Sequence, residues 1–234
     1  MKAVEFATES GDLPRRRMTA TEEIFLQLRS DIIAMKLTPG TKISEAEVAK
    51  MRSVSRQPVR EAFLRLGELN LLQIVPQKAT RIRKISHSDL RNTRFLRAAV
   101  EVEVVRIACD VATDESLQEI SENLDEQRLA VEAKDANALR SLDYEFHRLI
   151  CVAADCLPAF EAIAENKAHT DRVCSLELAD TSGMDEVFEG HSAMFEAIKL
   201  GDVHTAVEAT RYHLSHLDET LAMASEKYPD FFEA

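Results

Sequence analysis

The 234-residue sequence has no tryptophan, only six glycines and six prolines, and four cysteines. So few chain breakers argue against a turn-rich architecture. The abundance of Ala, Leu, Glu and Arg points to a mostly helical protein. The cysteines (Cys109, Cys151, Cys156 and Cys174) show no CxxC spacing and lie in apolar helical contexts, so they read as reduced core residues. No apolar run approaches the roughly 18–20 residues needed to span a bilayer. The opening MKAVEFATESGDLPRRR is too polar for a signal peptide, and a cytoplasmic location with no membrane partner is the expectation. There is no internal repeat or low-complexity tract. Hydrophobic content of 45% is ample for a core and excludes wholesale disorder.

What is present is divided by charge. The net charge of −12 and pI near 5.1 hide two opposed halves. Between Pro14 and Lys84 there are 15 Lys/Arg against 7 Asp/Glu; from Ile85 to Ala234 there are 13 against 31. A basic module, residues 14–85, precedes an acidic one, residues 86–234. The basic part suits a polyanion.

Within the basic module, Thr19-Ala-Thr-Glu22 and Ser44-Glu-Ala-Glu47 are capping-box patterns opening two helices. The first carries Ile24, Phe25, Leu28, Ile32 and Met35 and ends at Pro39-Gly40. A third helix is expected from Ser55, its N-cap, to about Asn70. It reads VSRQPVREAF at its start, with Arg56 and Arg60 on one face and Val59, Ala62, Phe63 and Leu66 on the other. Leu72, Ile74 and Arg81–Ile85 then alternate as strands do, with Pro76-Gln-Lys-Ala79 as a hairpin tip. Helices followed by a basic-tipped hairpin make a winged helix-turn-helix, for which DNA binding outweighs a merely solvated basic face.

The segment from LRSDIIAM to QKATRI resembles the winged helix-turn-helix of the GntR family of bacterial transcription regulators. The PG turn, ISEAEVA and VSRQPVREAF carry the match. By that resemblance the third helix enters the major groove of an operator, with Ser55, Arg56, Gln57 and Arg60 at the contact and Lys78 reaching phosphate from the wing. Three positions depart from the usual pattern. Ser53 stands at a Gly-type turn, though Ser tolerates a turn. Gln77-Lys78-Ala79 forms the wing tip, which weakens the case for its entering the minor groove. Ala46 stands where some relatives have arginine.

The acidic module reads as helix throughout: Leu90–Val111, Leu117–Val131, Ala138–Ala153, Ala159–Leu178, Val187–Leu200 and Ala206–Ala224. The fold class expected is mostly α, an N-terminal winged helix-turn-helix followed by an all-α antiparallel helical bundle. Asp143 and His147 are i and i+4 on one helix face. His191 lies 10 residues before Gly201 and His213 lies 12 after it, so antiparallel helices joined there bring the two histidines to nearly the same height. An Asp/His₃ set suits Zn²⁺, Ni²⁺ or Mn²⁺. By spacing alone, histidines that satisfy core or surface hydrogen bonds remain the commoner alternative.

The segments LRAAVEVEVVRIA, LDYEFHRLI and EGHSAMFEAIKLGDVHTAVEATRYHLSHL resemble the effector-binding FCD domain of FadR-type GntR regulators. That resemblance implies a divalent metal held by Asp143, His147, His191 and His213. Cys156, where many relatives carry Asn, departs from it beside the site. His87, His169, His204 and His216 read as surface or structural. Arg97, four residues before Glu101, is either an i,i+4 ion pair or a guanidinium reaching a ligand carboxylate. The resemblance favours the second reading, with Arg94, Arg172 and Arg211 as weaker candidates. The implied function is a homodimeric regulator, more often a repressor than an activator. It would bind a pseudo-palindromic operator in double-stranded DNA and respond to a small carboxylate metabolite, an organic or sugar acid. A metal-dependent enzyme and a regulator with a purely structural metal are the rivals.

Overall fold

The computed structural model describes residues 18–75, 78–177 and 183–233. The basic run 15–17, the wing-tip residues Pro76 and Gln77, the helix end expected at Leu178 and the side chain of His216 lie outside the described residues. Nine α-helices and one two-stranded sheet are found among the described residues.

Three helices come first: α1 (Ala20–Ile33), α2 (Glu45–Arg52) and α3 (Arg56–Glu68). Thr19 Oγ1 accepts from the amide of Glu22 at the start of α1, and Ser44 Oγ from that of Ala46 at the start of α2. Each cap is a one-way bond. Ser55 sits at the N-cap of α3, but its hydroxyl makes no capping bond. The expected apolar faces meet: Ile24, Phe25, Leu28 and Ile32 of α1 pack with Val59, Ala62, Phe63 and Leu66 of α3 in one buried cluster.

The hairpin is shorter than the alternation suggests. β1 (Leu72–Gln73) pairs antiparallel with β2 (Arg81–Ile82) in the register Leu72↔Ile82, and Arg81 also bridges Lys42. Ile74 is exposed. Beyond Ile82 the backbone is claimed elsewhere: Arg83 donates its amide to Leu71 O, and Ile85 forms a parallel bridge with Phe232.

The remaining helices are α4 (His87–Val111), α5 (Asp114–Glu132), α6 (Ala136–Ala153), α7 (Leu157–Glu177), α8 (Gly183–Lys199) and α9 (Val203–Lys227). A short 3₁₀ turn follows at Pro229–Phe231. Their ends lie within a few residues of those read from the apolar periodicity, extended chiefly by caps at Ser86, Thr113, Asp135 and Asp202. α4 packs against α6, α7, α8 and α9, with α5 laid on α6 and α8. Val104, Val105, Ala108, Ile120, Phe146 and Met194 lie at the centre.

Helix α7 touches both halves of the chain. Arg29 Nη2 of α1 donates to Ala164 O at 3.0 Å, and His169 bonds the backbone of Leu69 just past α3. The buried Arg172 donates from Nη2 to Arg83 O at 2.6 Å. At the same junction Arg83 pairs with Asp89 and Glu233, and backbone bonds join Ile85 to Phe231 and Glu233.

Ser53, between α2 and α3, has φ +55° and ψ +39°, the left-handed region that side chains with a Cβ enter at a cost of about 1 kcal/mol. Its αL geometry explains why glycine suits this position. Ser53→Gly should stabilise the protein by about 0.5–1 kcal/mol in chemical denaturation without moving α3. A loss of stability would contradict the strained turn.

Candidate metal centre and nucleic-acid interface

Three helices converge on one point. Asp143 and His147 project from α6, His191 from α8 and His213 from α9, and their ligand-capable atoms all lie within 4.8 Å of one another. The His191 and His213 rings are 4.6 Å apart, and those of His147 and His213 are 5.6 Å apart. Close approach of α8 to α9 depends on Gly190. A Cβ there would stand 3.0 Å from His213 Nδ1.

Each buried histidine is oriented from behind. His191 Nδ1 lies 2.8 Å from Gln127 Oε1 of α5, and that amide donates onward to Asn123 Oδ1 at 2.7 Å. Phe146 stacks on the His191 ring at 4.1 Å. His147 Nδ1 lies 3.0 Å from Glu101 Oε2, a charge contact rather than an aligned hydrogen bond. The acceptor at His191 Nδ1 favours its Nδ1–H tautomer and leaves Nε2 with its lone pair, and Glu101 stands at the same side of the His147 ring. Both Nε2 atoms are buried, lack a hydrogen-bond partner and face Asp143 Oδ1, at 3.6 Å from His147 and 3.3 Å from His191. Orphaned buried nitrogens facing a carboxylate, with a third imidazole beside them, form an N₃O donor set that fits a divalent transition metal.

Protonation follows from burial. Burial lowers His191 to about 4, with Asp143 only partly offsetting it, and holds His213 well below 6.5. Both are neutral at pH 7, as metal ligands must be. Burial also disfavours charge on His147, but Glu101 and Asp143 outweigh it and raise its pKa. Burial penalises the Asp143 carboxylate, yet Lys167 holds it well below the usual range.

Beside the cluster opens a cavity of about 90 Å³. Asp143 and His213 form one wall, and Arg97, Arg140, Lys167 and Asp171 supply most of the remaining charge. Arg97 forms the i,i+4 pair expected with Glu101 and also borders the cavity. Its Nε donates to Glu101 Oε1 at 2.7 Å, although the pair is buried rather than on the surface. Its Nη1 reaches Thr170 Oγ1 at 3.2 Å. Arg172 serves the junction instead, and Arg211 is an exposed partner of Glu208. Arg94 is half-buried on α4.

Lys167 and Asp171 were not singled out from the sequence. They are an i,i+4 pair on α7, joined by contact between Lys167 Nζ and both Asp171 Oδ1 and Asp143 Oδ2. Their spacing was legible as an ordinary helical ion pair, but their burial was not. Glu101 was noted only as a partner for Arg97, and Gln127 not at all.

The second interface is exposed. Ser55, Arg56, Gln57 and Arg60 all face solvent at the N-terminal end of α3, and Lys78 faces solvent on the wing. Gln57 is braced by Glu61, which also accepts from Thr21 of α1. Arg56 and Arg60 have no hydrogen bond or ion pair among the described residues. Their guanidinium groups are therefore available for an external anion.

Residues 20–82 match the model of the bacterial regulatory proteins of the gntR family, and residues 93–216 match the FCD domain. The chain is similar to the HTH-type transcriptional repressor RspR of Escherichia coli K12, with 36% identity over 90% of this chain and 92% of that one. It is also similar to a probable D-xylose utilization operon transcriptional repressor of Paenarthrobacter nicotinovorans, at 25% identity over 87% and 91% of the two chains. Among solved structures, E. coli McbR/YncC superposes with a TM-score of 0.76 at 20% identity, covering 90% of this chain and 99% of that one. A putative GntR-type regulator from Rhodococcus sp. RHA1 gives 0.71 at 21% identity, over 86% and 97%. These two speak to the fold. No helix among the described residues is long and apolar enough to cross a membrane.

In the metal-free protein the depressed pKa values of His191 and His213 withdraw stability as pH falls from about 6.5 toward 4, because the unfolded chain takes up those protons first. The raised pKa of His147 acts oppositely: its contribution is full below about 6.5 and is lost as pH rises through its folded value. Two against one, acidification destabilises. For His191 alone the loss at pH 5 is about 2 kcal/mol. Denaturation midpoints at pH 7 and pH 5 with a chelator present test this, and a higher midpoint at pH 5 would contradict it.

Proposed function

The chain belongs to the GntR family of bacterial regulatory proteins, with an FCD domain behind its DNA-binding unit, and on that premise we propose that this transcription regulator is controlled by a small organic acid held at a divalent metal on Asp143, His147, His191 and His213. The relatives are transcription regulators, repressors by name where a sign is given, and not enzymes. The observation that carries the reading is the pair of buried, unpartnered Nε2 atoms facing Asp143 at the edge of a cavity lined by charged side chains of both signs. A metal bound there supplies a Lewis-acidic anchor for a carboxylate oxygen. Arg97 would fork the same carboxylate or its neighbour, while Gln127 and Glu101 hold the His191 and His147 rings in place.

Operator binding is assigned to α3. Arg56 and Arg60 read or clamp the major groove, Ser55 and Gln57 add contacts at the helix start, and Lys78 meets phosphate. An arginine bidentate to guanine is worth about 1–3 kcal/mol of discrimination. Two such units in a homodimer would engage the half-sites of a pseudo-palindrome. Residues 14–85 act as the DNA-binding domain and residues 86–234 as the effector-binding and dimerising domain. The two communicate through α7. One face of that helix lines the cavity with Lys167 and Asp171, and its other contacts hold Arg29, Leu69 and Arg83. A ligand that binds one arrangement of α7 more tightly than another shifts the balance of operator-bound chains.

His191→Ala and His213→Ala should each lower bound metal severalfold by elemental analysis, while Arg56→Ala and Arg60→Ala should weaken operator binding at least about tenfold in a titration at fixed salt and leave metal content unchanged. Full metal content in both histidine variants would remove the metal assignment. If chelation simply unfolds the bundle and no organic acid adds stability, the metal is structural.

A further inference from the structure

Five charged side chains are buried together at the cavity: Arg97 and Lys167, against Glu101, Asp143 and Asp171, all but Glu101 lining it. They are mutually paired, Arg97 with Glu101 and Lys167 with both aspartates. The group carries two positive and three negative charges, a net of −1 from those five side chains. Arg140, half-buried with its Nε shielded from water, and the exposed Glu186 also line the cavity, and their opposite charges cancel. Unbalanced charge in a buried site is costly, so what enters the site must bring the sum toward zero.

A divalent cation on Asp143 and three neutral histidines turns −1 into +1. One carboxylate then neutralises the site, whereas a dicarboxylate would return it to −1. We infer that the cavity selects a small monocarboxylate, admitted only after the metal, with Lys167 as its specificity-determining cation. This rests on the metal reading given above. Lys167 suits the role because an ammonium group has three N–H donors, and Asp143 and Asp171 take two. The third is left for a ligand in the cavity that Lys167 itself lines. Arg97 has donors to spare beyond Glu101 and Thr170. Leu139, Val187 and Leu214 give the cavity an apolar side that suits a short carbon chain. Lys167 also sets the terms for the metal, because its positive charge sits on the carboxylate that must coordinate it.

The test uses the full chain, first titrated with Zn²⁺, Ni²⁺ or Mn²⁺ alone against a chelating fluorophore. Melting curves then compare butyrate, succinate and butyramide, with and without metal. Butyrate should stabilise only the metal-loaded protein, at concentrations where succinate and butyramide have no effect. Lys167→Met should bind the metal at least about tenfold more tightly, since a neighbouring positive charge is gone, and lose the butyrate response. Lys167→Arg should keep both properties. Asp171→Asn, one charge more positive, should weaken the metal and gain a succinate response. Succinate matching butyrate on the wild-type protein, or no butyrate effect with metal bound, overturns the selection of a monocarboxylate. Weaker metal binding in Lys167→Met would make Lys167 a support for Asp143 and overturn its role. A wild-type chain that takes up none of the three metals defeats the metal reading itself, a failure visible at the first titration.

Discussion

The constraint on which this molecule depends is that charge taken out of water must be paired. Arg97, Glu101, Asp143, Lys167 and Asp171 lie in the interior of a helical bundle, where an unpaired ion would cost several kcal/mol. They come from α4, α6 and α7, so these helices cannot slip by a turn of about 5.4 Å without stranding one of them. Once that register is fixed, the rest of the site follows. His147 is set against Glu101, α5 offers Gln127 to His191, and Gly190 lets α9 bring His213 alongside. The apolar packing of Val105, Phe146 and Met194 provides the bulk of the cohesion but is far less particular about position.

Much of the fold was legible because helices announce themselves locally. Apolar spacing and the glycine turn at Gly201 are properties of short windows. They located the bundle helices to within a few residues, short of the caps at Ser86, Thr113, Asp135 and Asp202. The pairing of His191 and His213 was legible for the same reason: a fixed rise per residue and one turn place them at equal heights. Lys167 was not, because a lysine four residues before an aspartate looks the same on a wet face as in a core. Glu101 was seen only as half of an ion pair. The short hairpin escaped because its truncation depends on the Ile85–Phe232 bridge, a contact across most of the chain that no window of sequence contains. Ser55 was foreseen at the right position, but its hydroxyl does not cap the helix.

The division of charge acquires a structural meaning at α7. The basic half presents Arg56, Arg60 and Lys78 to solvent, free of the acidic half's carboxylates. The acidic half keeps its essential cations, Arg97 and Lys167, inside. Where the two meet, beside the Arg83 ion pairs with Asp89 and Glu233, the backbone carbonyls of Ala164 and Arg83 are held by arginines across the boundary. Such bonds are directional without being strongly dependent on side-chain identity.

The Ile85–Phe232 bridge has a consequence for how the chain is made. The core of the N-terminal unit draws on residues 24–82 alone, so it can consolidate early during synthesis. The connector at Arg83–Ser86 cannot: its partners, Phe231 to Glu233, emerge some 150 residues later. A ribosome-bound chain would therefore carry a finished DNA-binding head whose neck lacks part of its clasp until residues 231–233 have emerged. The head is thus held in two stages, first by α7 and then by this clasp.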